Sequence, residues 1–139
     1  MQIIIYISRA KQNFTSGDLA DLRDLADARN RSEDITGLLL FDGARFIQAL
    51  EGDAVAVQAV MDRIAKDPRH DNISYFKPIK TDCRQFKSWT TEYQYDKDLC
   101  KGRVFLDRVM KHVAGVECDL IKAAFIGFAA LSLSRRLTT

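Results

Sequence analysis

Apolar positions in this chain fall into two alternating rhythms. The opening segment, Gln2-Ile3-Ile4-Ile5-Tyr6-Ile7-Ser8, is dense in β-branched and aromatic residues. Such a run predicts a strand buried on both faces, and therefore central in its sheet. Beyond a loop over Lys11 to Gly17, Leu19, Leu22, Leu25 and Ala26 recur at spacings of three and four. That spacing predicts a helix from about Gly17 to Arg29, capped by Thr15 or Ser16 and favoured by Asp18 in its first turn. Ile35 to Phe41 and Arg45 to Leu50 flank Asp42-Gly43. Two strand-like runs around an Asp-Gly turn predict a hairpin. Asp53 then caps a second helix whose apolar face is Val57, Val60, Met61 and Ile64. Pro68 ends it near Lys66. Strands follow near Ile73 to Pro78 and around Trp89 to Tyr95.

This order predicts an α+β, ferredoxin-like βαββαββ sandwich. The expected sheet is mixed and five-stranded, with two helices on one face. From about Asp98 the pattern becomes helical. Leu99, Arg103, Leu106, Val109 and Met110 suit one helix, Gly115 breaks it, and Val116 to Leu133 suit another. The reading thus divides the chain into a domain over 1–95 and a helical extension over 96–139. Phe125, Phe128, Leu131 and Leu133 make that extension too apolar for a free surface. The helices are expected to fold back on the open sheet face, or else to join a homodimer, a higher oligomer or a downstream partner.

Length and charge narrow the function. A chain of 139 residues holds one domain and a short appendage, with no room for a large enzyme. Its 21 basic and 19 acidic residues leave a net charge of +2, too balanced for a nucleic-acid footprint. Cys83, Cys100 and Cys118 are odd in number and too far apart for CxxC, and only His70 and His112 join them, so neither a disulfide framework nor a metal site is expected. The start lacks a basic leader and a cleavage site, and the stretch from Leu120 to Leu133 is too short for a bilayer. The expected compartment is the cytoplasm.

No catalytic motif stands out. Glu51 and Asp53 are neighbouring carboxylates whose spacing favours helix capping over acid–base work. Four polar residues are less easily explained. Tyr6 lies within a very apolar strand, and a buried phenol needs a partner. Gln48 lies within Arg45-Phe46-Ile47-Gln48-Ala49-Leu50 and has the same need. Asn30 is either a helix C-cap or a ligand contact. Arg69 follows the second helix. With the first strand beside the second hairpin strand, Tyr6 and Gln48 become neighbours on the helix-covered face. They form either a structural hydrogen bond or part of a ligand site. A slot between the helices, walled by Leu22, Ala26 and Ile64 and edged by Arg29, Asn30 and Arg69, has the composition of a pocket for a flat apolar molecule.

Several separated stretches resemble one family, the BLUF domains, blue-light sensors that use FAD. They are Ile5-Tyr6-Ile7-Ser8-Arg9-Ala10, Arg29-Asn30, Ile35-Thr36-Gly37-Leu38-Leu39, Phe46-Ile47-Gln48-Ala49-Leu50-Glu51-Gly52-Asp53, Asp67-Pro68-Arg69-His70, and Arg84-Gln85-Phe86 with Ser88-Trp89. The resemblance runs from about Met1 to Tyr95. It implies a non-covalent flavin between the two helices, FAD by family habit, with FMN or riboflavin suited to the same ring pocket. It implies that Asn30 binds the ring's polar edge, with Arg29 beside it. Gln48 would reach the ring and bridge to Tyr6. Arg69 and His70 would border the ring or its chain, with Phe46 and Ile64 as packing contacts.

It also implies photochemistry rather than enzymatic turnover. Tyr6 gives an electron and then a proton, Gln48 rearranges by rotation or tautomerisation, and a red-shifted signalling state follows. Trp89 would relay the change. The family pattern usually has methionine two residues after this tryptophan, and here Thr91 stands in its place. Output would go to a separate protein. Two bland readings stand beside these: Trp89 as plain edge packing, and His70 as a loop residue. The alternative for the whole chain is a light-independent interaction module of the same fold.

Overall fold

A computed structural model describes residues 1–93 and 99–138. The elements run β1 (Gln2–Ala10), α1 (Ser16–Ser32), β2 (Thr36–Phe41), β3 (Arg45–Gly52), α2 (Ala54–Ala65), β4 (His70–Tyr75), β5 (Ile79–Lys80), β6 (Trp89–Tyr93), α3 (Leu99–Val113) and α4 (Asp119–Thr138). The sheet order is β4-β1-β3-β2-β6, with two-residue β5 also pairing with β1. All pairings are antiparallel except β2 with β6. This is the ferredoxin-like mixed sheet, with β5 as an addition that no hydrophobic run announces.

Local chemistry explains the boundaries. Thr15 and Asp18 form a reciprocal capping box at the start of α1, satisfying two of the orphan donors of a helix N-terminus. The Asp53 carboxylate accepts from the Val55 N–H and starts α2. At the hairpin, Asp42 Oδ1 accepts from the Ala44 and Arg45 N–H groups at 2.9 and 2.7 Å, and Gly43 takes φ +98°. Gly37 carries a stricter demand. Its φ is +153°, and a Cβ there would sit 1.9 Å from the Ala49 carbonyl oxygen. A side chain at this position is incompatible with the β2–β3 pairing.

The alternation of β-strand side chains divides the core between two faces. Ile4, Tyr6 and Leu50 meet Val57, Val60 and Met61 of α2, while Leu39, Phe41 and Phe46 meet Leu19 of α1. On the opposite face Ile3, Ile5, Leu38, Leu40, Ile47 and Ala49 meet Phe105, Val109, Val113, Ile121, Phe125 and Phe128. The extension therefore folds back on the open sheet face.

Some expectations are corrected. The inner face of α3 is Phe105, Val109 and Val113, and Met110 is exposed. α4 begins at Asp119, after a turn through Gly115 and Val116. Asn30 is not the C-cap of α1, because the helix runs on to Ser32 and Glu33 caps it. Glu51 caps nothing. It is fully buried and accepts hydrogen bonds from Thr36 Oγ1 (2.9 Å), Gln85 N (2.6 Å) and Phe86 N (3.0 Å). The loop before β6 supplies the donors that a buried carboxylate requires. The expected division at 95/96 and the Tyr95 strand end lie outside the described residues.

Candidate functional site

A cavity opens between α1 and α2 above the sheet, with about 770 Å³ of atom-free space including its mouth. Tyr6 on β1 and Gln48 on β3 lie directly opposite one another in the sheet register. Leu39 of β2 is the next residue across from Gln48, and Thr91 of β6 the next after Leu39. Strand alternation puts this whole row on the helix-covered face.

The Tyr6 hydroxyl donates a short, buried hydrogen bond to Gln48 Oε1. Burial, reinforced by the negative charge of Asp67 and then by Tyr75, pushes the Tyr6 phenol far above its ordinary range. Tyr6 is therefore a neutral donor at any physiological pH. Among the described residues the Gln48 amide nitrogen has no protein partner. Asn30 is buried, and its carboxamide also lacks a protein partner there. Buried carboxamides of this kind call for a ligand with hydrogen-bonding edges.

The remaining walls are mostly apolar. Leu22 and Ala26 of α1, Phe46 of β3 and Ile64 of α2 line the cavity. The burial of α1 points to a missing partner. Of its predicted apolar face only Leu19 is fully buried, and Leu25 is 43% exposed at the cavity edge. An apolar helix face left half-open above a sheet suits a flat aromatic guest.

Charges gather at the rim. Arg69 pairs with Asp67, its Nη2 to Asp67 Oδ2 at 2.5 Å, and this bond holds the Asp67 carboxyl below the usual carboxylate range. Arg63 pairs with Glu33 at 2.7 Å. Arg29 is exposed and also borders the opening. His70 Nδ1 meets Ser8 Oγ and Nε2 meets the Ile64 carbonyl oxygen, each at 2.7 Å.

Tyr6, Leu22, Ala26, Arg29, Asn30, Phe46, Gln48, Ile64, Arg69 and His70 thus surround one space. Trp89 and Thr91 do not line it. They lie on β6, with Trp89 Nε1 and Thr91 Oγ1 buried and without a hydrogen-bond partner among the described residues. Sequence reasoning missed Phe14, Leu25, Leu39, Val60, Arg63 and Asp67 as lining residues. Leu39 lay out of its reach: a two-residue Asp42-Gly43 turn would set Leu39 opposite Phe46, whereas the hairpin turns on Gly43-Ala44, with Asp42 bonded to Arg45, and sets Leu39 opposite Gln48. Phe14 sits in a loop with no periodicity and left no signal. Among the described residues no cluster of His, Cys, Asp and Glu could hold a metal ion, and no helix is long and apolar enough to cross a membrane.

Comparison with known proteins agrees with this geometry. The model for sensors of blue-light using FAD (BLUF) matches residues 1–92. The blue light- and temperature-regulated antirepressor BluF of Escherichia coli K12 is 37% identical over 70 residues, covering 50% of this chain and 17% of that protein. Photoactivated adenylate cyclase subunit alpha of Euglena gracilis is 40% identical over 70 residues, 50% of this chain and 7% of that protein. The match thus spans less than a fifth of these relatives' own length.

Among solved structures, Klebsiella pneumoniae BlrP1 in a calcium and cyclic-diGMP complex superposes with TM-score 0.75 at 25% identity, over 93% of this chain and 34% of that one. BlrB, a BLUF protein in its dark state, gives TM-score 0.67 at 26% identity, over 93% of this chain and 95% of that one. With the family match running from β1 almost to the end of β6, the chain belongs to the BLUF family, flavin-binding sensors of blue light.

Proposed function

We propose that this chain senses blue light through Tyr6 and Gln48 and passes the change to a separate protein. The observation that carries the proposal is the buried Tyr6–Gln48 hydrogen bond on the floor of the cavity. The cavity suits a flavin: its walls are apolar, and among the described residues the Gln48 amide nitrogen and the Asn30 carboxamide have no protein partner. Asn30 would hold the polar edge of the ring, Leu22, Ala26, Phe46 and Ile64 its faces, and Arg29 and Arg69 the mouth. FAD is the family cofactor, and FMN or riboflavin would satisfy the same ring contacts.

Bound flavin supplies the chromophore and, once excited, an acceptor for an electron and a proton. Tyr6 is a protonated phenol in the dark, so it has both to give. Gln48 accepts from Tyr6 through Oε1, and loss of the Tyr6 proton removes that donor. The carboxamide then re-pairs by rotation or tautomerisation, with its donor and acceptor positions exchanged. A buried network has to satisfy itself anew, so the exchange would persist after Tyr6 regains both its electron and its proton from the flavin. Trp89 and Thr91, on the same sheet face, are placed to feel it. Thr91 is shorter than methionine and bears a hydroxyl, which argues against a relay needing a long flexible side chain there.

Residues 1–95 would form the sensor and 96–139 its output extension. Its two helices cover the sheet. Leu120 and Leu131, both more than half exposed on α4, offer contacts to a partner or a second copy. A cytoplasmic protein partner suits the free thiols of Cys83 and Cys118 and the near-neutral charge. The Escherichia coli relative is an antirepressor, a role that implies action on another protein.

A light-minus-dark absorption spectrum of purified protein tests the proposal. A reversible red shift is expected, with Tyr6→Phe and Gln48→Leu each abolishing it. Bound flavin with no light-induced change would leave the light-independent interaction module as the better reading.

A further inference from the structure

His70 lines the cavity, yet its ring nitrogens are already engaged. Nε2 lies 2.7 Å from the Ile64 carbonyl oxygen. A carbonyl only accepts, so Nε2 carries the proton. In the neutral ring Nδ1 then has only a lone pair, and the Ser8 hydroxyl, 2.7 Å away, donates to it. No ring nitrogen remains for a ligand, so the ring can meet one only through its face or its C–H edge.

The partners of these bonds matter for the site. Ser8 is buried on β1, two residues from Tyr6 and on the same sheet face. Ile64 belongs to the last turn of α2 and lines the cavity. Its carbonyl already accepts from the Asp67 N–H at 3.0 Å and takes His70 Nε2–H on its second lone pair. His70 itself is held in β4 by pairing with Ala10. One ring therefore ties the sheet floor to the helix wall. It stands with its centroid 6.0 Å from that of Tyr6 and 6.2 Å from that of Phe46.

We infer that His70 is a positioning residue. As the neutral Nε2–H tautomer it braces α2 against β1 and fixes the gap in which the flavin ring lies, and it makes no hydrogen bond to the flavin. This rests on the flavin-site reading above and sharpens the expectation that His70 borders the ring or its chain.

Long-range ¹H–¹⁵N NMR correlations of the full chain, recorded with and without FAD, read the tautomer directly. The expected result is Nε2–H with an unprotonated Nδ1 in both samples. An Nδ1–H tautomer, or a tautomer that changes when FAD binds, would overturn the inference. FAD titrations monitored by flavin fluorescence supply the second reading. His70→Phe keeps an aromatic ring and loses both bonds. It should weaken FAD binding about tenfold, with less resolved structure in the blue absorption band, and Ser8→Ala should weaken it about threefold. Wild-type affinity in both variants would refute the brace. If His70→Phe does not fold, Ser8→Ala and the tautomer still decide. If the wild-type chain binds no FAD, the flavin-site reading fails instead, and the tautomer measured in the FAD-free sample still tests the hydrogen bonds.

Discussion

The two faces of the central sheet are built from the same strands and finished differently. On the α3–α4 face, Ile47 and Ala49 of β3 join one continuous cluster that reaches Phe125 and Phe128. On the α1–α2 face, Phe46 and Leu50 of the same strand fall into two separate clusters, with the cavity and its carboxamides between them. Alternation along a strand assigns side chains to faces, but what covers them decides how they pack. α3 and α4 join the sheet in a single apolar cluster. α1 and α2 leave a cavity, which on the proposed reading a flavin ring completes. One face is thus a protein core, and the other would become one with flavin bound.

Four measurements can break or sharpen this contrast. The largest effect should come from the closed face. Phe125→Ala removes a fully buried aromatic and should cost about 3–5 kcal/mol in chemical denaturation, with the same loss whether or not FAD is present. A loss that FAD repairs would mean that the two faces are not independent. Next is FAD itself. At a hundredfold excess over its dissociation constant it should stabilise the wild-type chain by about 2.7 kcal/mol, and Asn30→Ala should reduce this gain while hardly changing the FAD-free protein.

Glu51→Ala comes third. It leaves the Gln85 and Phe86 N–H groups without their acceptor and should cost about 1–3 kcal/mol, again independent of FAD. The smallest effect is at the cavity rim. The Arg69 bond depresses the Asp67 carboxyl, so its stabilisation is complete above the ordinary carboxylate value near 3.8. It is lost as pH falls through the lowered folded value. Asp67→Asn should flatten that part of an acid titration of stability. An unchanged titration would show that the pair is too solvated to matter.

Local signals made the cavity's elements legible. Asp42-Gly43 marked the hairpin, although the turn centres on Gly43-Ala44 and the Leu39–Gln48 register follows from that. The three-and-four spacing set the α2 face, and an all-apolar run set β1 at the centre. Tyr6, Gln48 and Asn30 stood out because polar groups in apolar strands or at helix ends need partners. Tertiary contacts hid the remainder. Glu51 looks like a surface carboxylate until the 81–88 loop folds over it with N–H donors. The ring nitrogens of His70 point to a ligand until Ser8 and Ile64 claim them. The inner face of α3 shifts to Phe105 because the sheet beneath sets the rotation of the helix, which its own spacing leaves ambiguous.

The seating of α4 sets a rule about length. Near its start, the Glu117 and Cys118 N–H groups donate to Gln85 Oε1 at 2.9 and 3.1 Å, and Gln85 is held by Glu51 at the end of β3. Further along, Ser132 Oγ donates to Asp42 Oδ2 at 2.6 Å, and the Arg45 guanidinium at the start of β3 lies 5.2 Å from the Phe128 ring centroid. Fourteen helical residues span about 21 Å. Six strand residues span about 20 Å. Helix and strand therefore act as two rulers cut to one length and fastened at both ends. One residue inserted between Cys118 and Phe128 would advance the far fastening by about 1.5 Å and turn it by about 100°. This stretch of the extension should therefore tolerate substitution at its exposed positions but almost no change in residue number.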